Sequence, residues 1–302
     1  MTQSALKTWF ETARPKTLPL ALAIIFTGSA VAYWFGSFDW QITLLCLLTA
    51  TLLQILSNFA NDYGDFQKGS DTAERIGPLR GIQKGNMTEG QLRNGLIVTI
   101  ILILISGFAL LATAYQSLQD LIVFIALGIA SIVAAIAYTV GKKPYGYLGL
   151  GDIFVFLFFG LLAVAGTYYL QAHSMNWTVF LPAGACGFLS TAVLNINNMR
   201  DIEQDKKAGK HTLVVRLGAE KSRVYHCLLL TSGVLCYALF SAINVDSRWG
   251  FLFILAVPLL VKHAGFVYKT KEPILLRPML AQMSLLALLT NVLFSLGLVL
   301  AK

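Results

Sequence analysis

The chain has 302 residues, of which 56% are hydrophobic and only 13% are charged, with a formal net charge of +8. Soluble domains carry about a quarter charged residues, so this sequence has too few polar groups to cover a globule in water. The composition therefore excludes an ordinary soluble domain and indicates a protein embedded in lipid.

Nine apolar stretches follow one another along the chain. A helix needs about 20 apolar residues to cross a bilayer, and in lipid only a helix satisfies its own backbone polar groups without closing a barrel. We predict an all-α polytopic membrane protein that forms a single domain over residues 1–302. The predicted spans are Leu18–Phe35, Gln41–Ala60, Asn94–Ala114, Leu121–Val140, Gly151–Leu170, Val179–Met199, Val224–Ile243, Trp249–His263 and Met279–Leu300.

The basic residues are distributed unevenly between the two sides of the membrane. If the N-terminus lies inside, all but Arg248 and Lys302 of the 23 lysines and arginines lie on the inner side. The positive-inside rule then predicts a cytoplasmic N-terminus and a C-terminus outside. Because membrane topology explains the positive charge, we predict no nucleic-acid partner.

Acidic and amide residues mark the inner end of the second span. If this helix continues beyond Ala60, then Asn58, Asn61 and Asp65 are spaced i, i+3 and i+7 and lie on one helix face. The loop that follows is long and rich in both signs of charge. We therefore expect function on the inner face of the protein.

The sixth span ends in a similar pattern. Asn197, Asn198, Asp201 and Asp205 again share one helix face on the same side of the membrane. One such group could be a solvated helix end with salt bridges to nearby cations. Two groups with similar spacing favour a binding function, since carboxylates at a membrane edge are costly.

The residue types at the two helix ends suit a hard metal ion. Carboxylate and amide oxygens without nearby cysteine or histidine are the ligands of Mg²⁺, which proteins commonly bind together with a substrate phosphate. Arginines and lysines after each acidic group suit a diphosphate that the metal neutralises only in part. The predicted diphosphate-binding residues are Lys68, Arg75, Arg80, Lys206 and Lys210.

These features resemble the UbiA superfamily of intramembrane aromatic prenyltransferases. Its members are nine-helix proteins with two Asp-rich motifs at helix ends, which correspond here to Asn61-Asp62-x-x-Asp65 with Asp71 and to Asp201-x-x-x-Asp205. Asp71 lies six residues after Asp65, where the commonest spacing is four. The resemblance implies Mg²⁺ as cofactor, with Asp65, Asp201 and Asp205 as catalytic residues. The implied metal-site residues are Asn61, Asp62, Asp65, Asp71, Asn198, Asp201 and Asp205.

Within this superfamily, the loop sequences are most similar to members that act on 1,4-dihydroxy-2-naphthoate in menaquinone biosynthesis. The resemblance implies transfer of a polyprenyl group from polyprenyl diphosphate to the naphthoate ring, with loss of its carboxyl group, in a bacterial inner membrane. The reaction requires a cavity that excludes water at the cytoplasmic side of the helices. The predicted aromatic-substrate residues are Arg14, Lys16, Tyr138, Lys142 and Asp152. We expect the small residues Gly141, Gly146, Gly149 and Gly151 to leave room for a bicyclic acceptor beside Tyr138 and Asp152.

Two alternatives remain at this level. A 4-hydroxybenzoate polyprenyltransferase of ubiquinone biosynthesis would have the same metal and diphosphate chemistry, and the loop after Asp65 discriminates only weakly. A transporter could also use acidic residues in the membrane. The charged residues cluster at one face, however, and the middle of each span is apolar, which disfavours a path through the bilayer.

Overall fold

The computed structural model describes residues 5–69 and 79–302, and every regular element in these two ranges is helical. Within them, nine helices are long and apolar enough to cross a membrane. This confirms the predicted all-α architecture with nine spans. Asp71 and Arg75, both predicted as site residues, lie outside the described residues. The spans are Ala5–Trp34, Trp40–Gln67, Glu89–Thr113, Leu118–Ala137, Gly151–Ala172, Trp177–Arg200, Leu213–Asn244, Arg248–Lys269 and Pro273–Ala301.

The first span is broken near its start. Helix α1 (Ala5–Ala13) ends before Arg14, and α2 (Leu18–Trp34) begins after a short 3₁₀ turn that starts at Pro15. Proline disfavours the helical conformation of the residue before it, and Arg14 adopts the left-handed conformation, with φ of 53°. The break turns Arg14 towards the inner end of the second span.

The second span is longer than a bilayer requires. Helix α3 (Trp40–Gln67) has 28 residues, which corresponds to about 42 Å at 1.5 Å per residue. Its N-cap residue is Asp39, whose carboxylate accepts hydrogen bonds from the backbone N–H groups of Gln41 and Ile42. A hydrocarbon core of about 30 Å leaves several turns of α3 beyond the lipid. These turns carry the first acidic group, as the sequence predicted.

The third and fourth spans lie at the edge of the bundle. Helix α4 (Glu89–Thr113) begins with a capping box at Thr88, and α5 (Leu118–Ala137) begins at Ser117, whose hydroxyl accepts from a backbone N–H. Ala134 is the buried residue of α5. Their exposed aliphatic side chains suit contact with lipid, since a membrane protein need not hide apolar surface from its solvent.

The fifth span contains a wide-turn segment. Helices α6 (Gly151–Val155) and α7 (Gly166–Ala172) are joined by the π-helical segment Phe156–Ala165. A Cβ placed on Gly160 would lie 2.6 Å from the Cα of Gly187 in the sixth span. The glycines therefore allow the two backbones to touch, which is the usual packing of small residues between membrane helices.

The sixth span leads directly into the second acidic group. Helix α8 (Phe180–Arg200) is followed by the short α9 (Ile202–Lys207), with Asp201 between them. Helix α10 (Leu213–Asn244) then returns through the membrane and bends at Gly218, where φ is 79°. Glycine adopts this left-handed conformation without a steric penalty.

The last two spans complete the core around α8. Helix α11 (Val257–Lys269) follows a 3₁₀ segment over Arg248–Ala256, and α12 (Arg277–Ala301) packs against both α2 and α8. The rings of Tyr237 and Phe294 stack in this core with centroids 4.1 Å apart. The α8 side of the bundle is thus densely packed, whereas the α4–α5 side surrounds a cavity.

Candidate active site

A cavity of about 890 Å³ lies between the α3–α5 and α8 sides of the bundle. Its walls are mostly apolar, and its polar residues gather at the end where α3 and α8 finish. Both acidic groups contribute to this end, through Asn61 and Asp65 from α3 and through Asp201 and Asp205 after α8. The structure therefore brings together two helix ends that are about 140 residues apart in sequence.

The Asp65 carboxylate lines the cavity and contacts side chains from two other segments. It is buried, and its Oδ1 accepts hydrogen bonds from the Tyr147 hydroxyl at 3.0 Å and the Lys210 ammonium at 2.8 Å. Burial opposes the charge on Lys210, but the Asp65 carboxylate outweighs this effect and the pKa of Lys210 is raised. The Lys210 side chain is therefore charged at neutral pH.

Asp62 occupies a different position from Asp65. Its carboxylate does not line the cavity, and it forms ion pairs with the Arg14 guanidinium and with Nε of Arg80, the latter at 3.1 Å. Both arginines do line the cavity. Since a buried charge must be paired, Asp62 holds the two guanidinium groups at the polar end.

The residues of the second acidic group remain on one helix face although α8 ends at Arg200. The backbone N–H of Asp201 donates to the carbonyl of Asn197, and that of Asp205 donates to the carbonyl of Asp201 at 2.8 Å. Helical spacing thus continues across the junction, and Asn197, Asp201 and Asp205 line the cavity together with Asn198. The Asp201 carboxylate is also held by the neighbouring Arg200 guanidinium.

The remaining predicted cations lie further from the cavity. Lys16, Lys142 and Lys206 are exposed and are not among its lining residues. Lys68 is exposed as well, but its ammonium lies 5.1 Å from the centre of the Tyr147 ring. Of the predicted diphosphate-binding residues that the structure describes, Arg80 and Lys210 are the two that line the cavity.

Aromatic rings line the wall beside the acidic groups. Tyr138 faces the cavity and meets Tyr145 edge to face at 5.3 Å, while Tyr145 stacks on Phe154 at 4.1 Å. Burial raises the pKa of the Tyr138 phenol, and the nearby Asp152 carboxylate raises it further. The Tyr138 hydroxyl is therefore protonated at neutral pH. Asp152 itself is buried and does not line the cavity.

Three of the four glycines near Tyr138 lie close to other atoms of the protein. The sequence suggested that Gly141, Gly146, Gly149 and Gly151 leave room for a bicyclic acceptor, but a Cβ on Gly146 would lie 2.6 Å from the Tyr138 carbonyl oxygen. A Cβ on Gly149 would lie 2.6 Å from the His211 carbonyl oxygen and one on Gly151 would lie 3.2 Å from the Tyr138 ring, whereas one on Gly141 would meet nothing within 4 Å. Gly146, Gly149 and Gly151 therefore allow close packing of the protein, and room for the acceptor stays a prediction at Gly141.

Tyr147 is a cavity residue that the sequence reasoning did not identify. Besides bonding Asp65, its ring lies 4.7 Å from the Lys210 ammonium, and its carbonyl accepts from the backbone N–H of His211. It therefore links the loop after α5, the first acidic group and the loop after α9. The sequence feature that could have identified Tyr147 is a tyrosine in a loop beside two lysines. Spacing along the sequence, however, does not show that this tyrosine contacts Asp65.

The oxygen donors suit a metal ion whose coordination shell is completed by oxygens of the substrate. Among the described residues, no three acidic, histidine or cysteine side chains are close enough to form a protein-only metal site. Mg²⁺ usually takes one or two carboxylates together with substrate phosphates and water. The donor set of Asp65, Asp201 and Asp205 with the amides Asn61 and Asn198 fits such binding.

Comparison with known proteins assigns the family. Residues 21–299 match the model of the UbiA prenyltransferase family. The chain belongs to the UbiA prenyltransferase family. It is 62% identical over 300 residues to the 1,4-dihydroxy-2-naphthoate octaprenyltransferase of Haemophilus influenzae and 55% identical to that of Escherichia coli, and each match covers 99% of this chain and 97% of the relative.

Solved structures show the same fold. A UbiA homolog from Archaeoglobus fulgidus bound to GPP and Mg²⁺ matches with a TM-score of 0.59 at 18% identity and covers 93% of this chain and 98% of that one. The apo UbiA homolog from Aeropyrum pernix K1 matches with a TM-score of 0.64 at 13% identity and covers 95% and 98%. The family predicted from the two acidic motifs is confirmed, and the chain is a prenyltransferase, not a transporter.

Proposed function

We propose that this chain transfers a polyprenyl group from polyprenyl diphosphate to 1,4-dihydroxy-2-naphthoate with loss of the ring carboxyl group, which gives demethylmenaquinol, the hydroquinone form of demethylmenaquinone. The observation that carries the proposal is the 62% and 55% identity, along 99% of the chain, to two enzymes with this name. Residues 1–302 then form a single catalytic domain, because both acidic helix ends line one cavity.

The diphosphate lies at the polar end of the cavity in this proposal. Asp65, Asp201 and Asp205, with Asn61 and Asn198, would hold Mg²⁺, and Asp62 and Asp71 remain predicted members of the site. When bound, Mg²⁺ neutralises the negative charge that grows on the diphosphate as the allylic C–O bond breaks. The same diphosphate oxygens accept hydrogen bonds from Lys210 and Arg80, which act together with the predicted cations Lys68, Arg75 and Lys206.

The apolar part of the cavity suits the polyprenyl tail. Lining residues on α3 extend from Asp65 to Cys46, which corresponds to about 28 Å along the helix axis. Most of the lining is aliphatic or aromatic, including Ile103 and Phe158. This wall excludes water, which would otherwise capture the allylic cation before the aromatic ring attacks it.

The aromatic acceptor lies between the allylic carbon and the tyrosine wall. The pair of electrons of the broken C–O bond leaves with the diphosphate, and the ring carbon that carries the carboxylate forms the new bond to the allylic carbon. The carboxylate then departs as carbon dioxide, and the electron pair of its bond to the ring restores the aromatic hydroquinone. Tyr138 presents a protonated phenol and a π-face to this region. Arg14, which lines the cavity, binds the acceptor's anionic groups. Lys16, Lys142 and Asp152 remain predicted acceptor residues that act from outside the lining.

The orientation of the protein follows from its cations in this proposal. The polar end of the cavity, the long inner loops and the N-terminus face the cytoplasm, and Lys302 lies outside. The chain is then a multi-pass protein of a bacterial inner membrane. Both substrates reach the cavity from the cytoplasmic half of the bilayer.

Loss of the ring carboxyl provides the test. Purified enzyme with polyprenyl diphosphate, Mg²⁺ and 1,4-dihydroxy-2-naphthoate labelled at the carboxyl should release labelled carbon dioxide in step with prenylated product. Product that keeps the label would contradict the proposal. Turnover of 4-hydroxybenzoate in the absence of any naphthoate turnover would instead support the benzoate enzyme.

A further inference from the structure

A second groove, of about 580 Å³, lies between the end of α11 and the 3₁₀ turn Pro273–Leu276 that precedes α12. Lys262 and Lys269 come from α11, and Lys271 and Glu272 follow in the connecting loop. No residue of this groove lines the reaction cavity. The groove is therefore a separate feature, on the same face of the bundle as the acidic helix ends.

The groove carries a positive charge. Its three lysines and one glutamate give a formal charge of +2. None of the three ammonium groups forms an ion pair with another described residue. An unpaired cationic group at a membrane edge favours an anionic occupant.

Lys262 lies deeper than topology requires. It is seven residues before Lys269 on the same helix, which places its backbone about 10 Å further into the membrane-spanning segment. A lysine at this depth is costly unless its long side chain reaches the headgroup region. Lys269 and Lys271 are sufficient to mark the inner side of the membrane. Membrane topology therefore does not explain a third lysine at the depth of Lys262.

The remaining walls of the groove are apolar. Phe266 is 44% exposed and Leu275 is 47% exposed, and both line the groove. Gly265 lies between the two α11 lysines, and a Cβ at this position would meet nothing within 4 Å. The surface thus combines cations along α11 and in the connecting loop with apolar walls and open space between them.

We propose that this groove binds an anionic phospholipid of the surrounding leaflet. Lys262, Lys269 and Lys271 contact its phosphate, and Phe266 and Leu275 contact its acyl chains. Lysine binds phosphate as a compact point charge, and basic pockets between membrane helices on the cytoplasmic side bind such headgroups. The proposal is independent of the chemistry of the reaction cavity.

The test measures lipid retention by the purified full-length protein. Native mass spectrometry in detergent compares phosphatidylglycerol with phosphatidylcholine of identical acyl chains. We expect the protein to retain phosphatidylglycerol selectively, and the double variant Lys262→Gln/Lys269→Gln to bind it about thirtyfold more weakly, since each lysine near the surface contributes about fivefold in affinity. Equal retention of both lipids by the unmodified protein would overturn the proposal.

Two matched controls separate a defined site from diffuse attraction. Lys221→Gln/Arg223→Gln on α10 removes the same charge outside the groove and should leave retention unchanged. Gly265→Leu fills the groove without removing charge and should weaken retention about tenfold, whereas Gly90→Leu, at another open helical position, should not. An equal loss in the two charge variants, or no effect of Gly265→Leu, would contradict the site.

A third arm identifies the anion. Inorganic phosphate at millimolar concentration should leave the phospholipid bound, because it lacks the apolar contacts. Displacement by equimolar farnesyl diphosphate would mean that the groove serves a prenyl substrate, and it would overturn the phospholipid proposal. Prenyl transfer in detergent is expected to be the same in all four variants, so a failure here is distinct from a failure of the proposed reaction.

Discussion

Neighbouring residues at the polar end of the cavity have different contacts and therefore different roles. Asp65 faces the cavity and contacts a lysine and a tyrosine, whereas Asp62, three residues earlier, is turned towards two arginines. Spacing on the helix does not explain this difference, since residues i and i+3 lie on neighbouring parts of one face; the side chains that surround each carboxylate do. The sequence motif contains both carboxylates, and the structure gives them different neighbours.

The carboxylates of the two acidic groups should act as one unit. Asp65→Asn or Asp205→Asn is expected to lower kcat by at least about a hundredfold, the scale for removing a group that stabilises developing charge. Asp246→Asn, at an exposed loop carboxylate, is the matched control and should retain full activity. Steady-state prenyl transfer by purified variants measures this, and near-normal turnover of either site variant would exclude a shared role in holding Mg²⁺.

Tyr147 should make two separable contributions. Tyr147→Phe removes the hydrogen bond to Asp65 but keeps the ring beside Lys68 and Lys210, and a hydrogen bond to a charged group is worth about 1.5–3 kcal/mol. We expect kcat to fall about tenfold or more. Tyr147→Leu also removes the ring and should additionally raise the KM for prenyl diphosphate. Steady-state kinetics of the two variants should therefore differ in KM as well as in kcat. Identical kinetics in the two variants would show that the ring has no role.

At the scale of helices, the spans lie where hydropathy predicts, but their ends do not. The seventh span begins at Leu213, although its apolar part was predicted from Val224, and the eighth ends at Lys269 instead of His263. Hydropathy detects residues in lipid, whereas helices continue into the polar interface as long as their backbone bonds are satisfied. The same reason explains why α3 extends to Gln67 and carries Asp65 with it.

The approach of α3 to the loop after α5 should be sensitive to one methyl group. A Cβ on Gly64 would lie 2.7 Å from the Thr139 carbonyl carbon and oxygen, and the Thr139 hydroxyl donates to the Ala60 carbonyl. We expect Gly64→Ala to destabilise the protein by about 1–3 kcal/mol through overpacking and to reduce activity by displacing Asp65.

Gly90→Ala is the control for this change. Its Cβ would meet nothing within 4 Å, and alanine is favoured over glycine within a helix by about 1 kcal/mol. Melting of both variants in the same detergent should show a lower Tm for Gly64→Ala and an unchanged or higher Tm for Gly90→Ala. A Gly64→Ala protein that melts and turns over normally would show that α3 can move away from Thr139 at no cost.

At the scale of the whole molecule, the nine spans found among the described residues lead us to expect the two chain ends on opposite sides of the membrane. We propose that the one-sided cations orient the bundle with its polar cavity end towards the cytoplasm. Reporter fusions at Gly85 and Lys207 should report the cytoplasm, and a fusion at Lys302 should report the outside. A cytoplasmic reporter signal from Lys302 would contradict either the orientation or the number of spans.

The sequence by itself determined the fold class and the family. Aliphatic runs of spanning length can only be helices in lipid, and motifs such as Asn61-Asp62-x-x-Asp65 lie within continuous helices, where spacing fixes the face of each side chain. Local spacing therefore predicted that Asn58, Asn61 and Asp65 share one helix face, and all three line the cavity, whereas Asp62 does not.

Only the tertiary structure decided how distant segments meet. The contacts of Tyr147 with Asp65 and Lys210, the pairing of Asp62 with Arg14 and Arg80, and the close packing of glycines on Tyr138 all join residues from different helices or loops. Such contacts depend on the relative position and rotation of packed helices. Periodicity within one segment contains no information about that arrangement, because it is set by the fit of side chains from several segments at once.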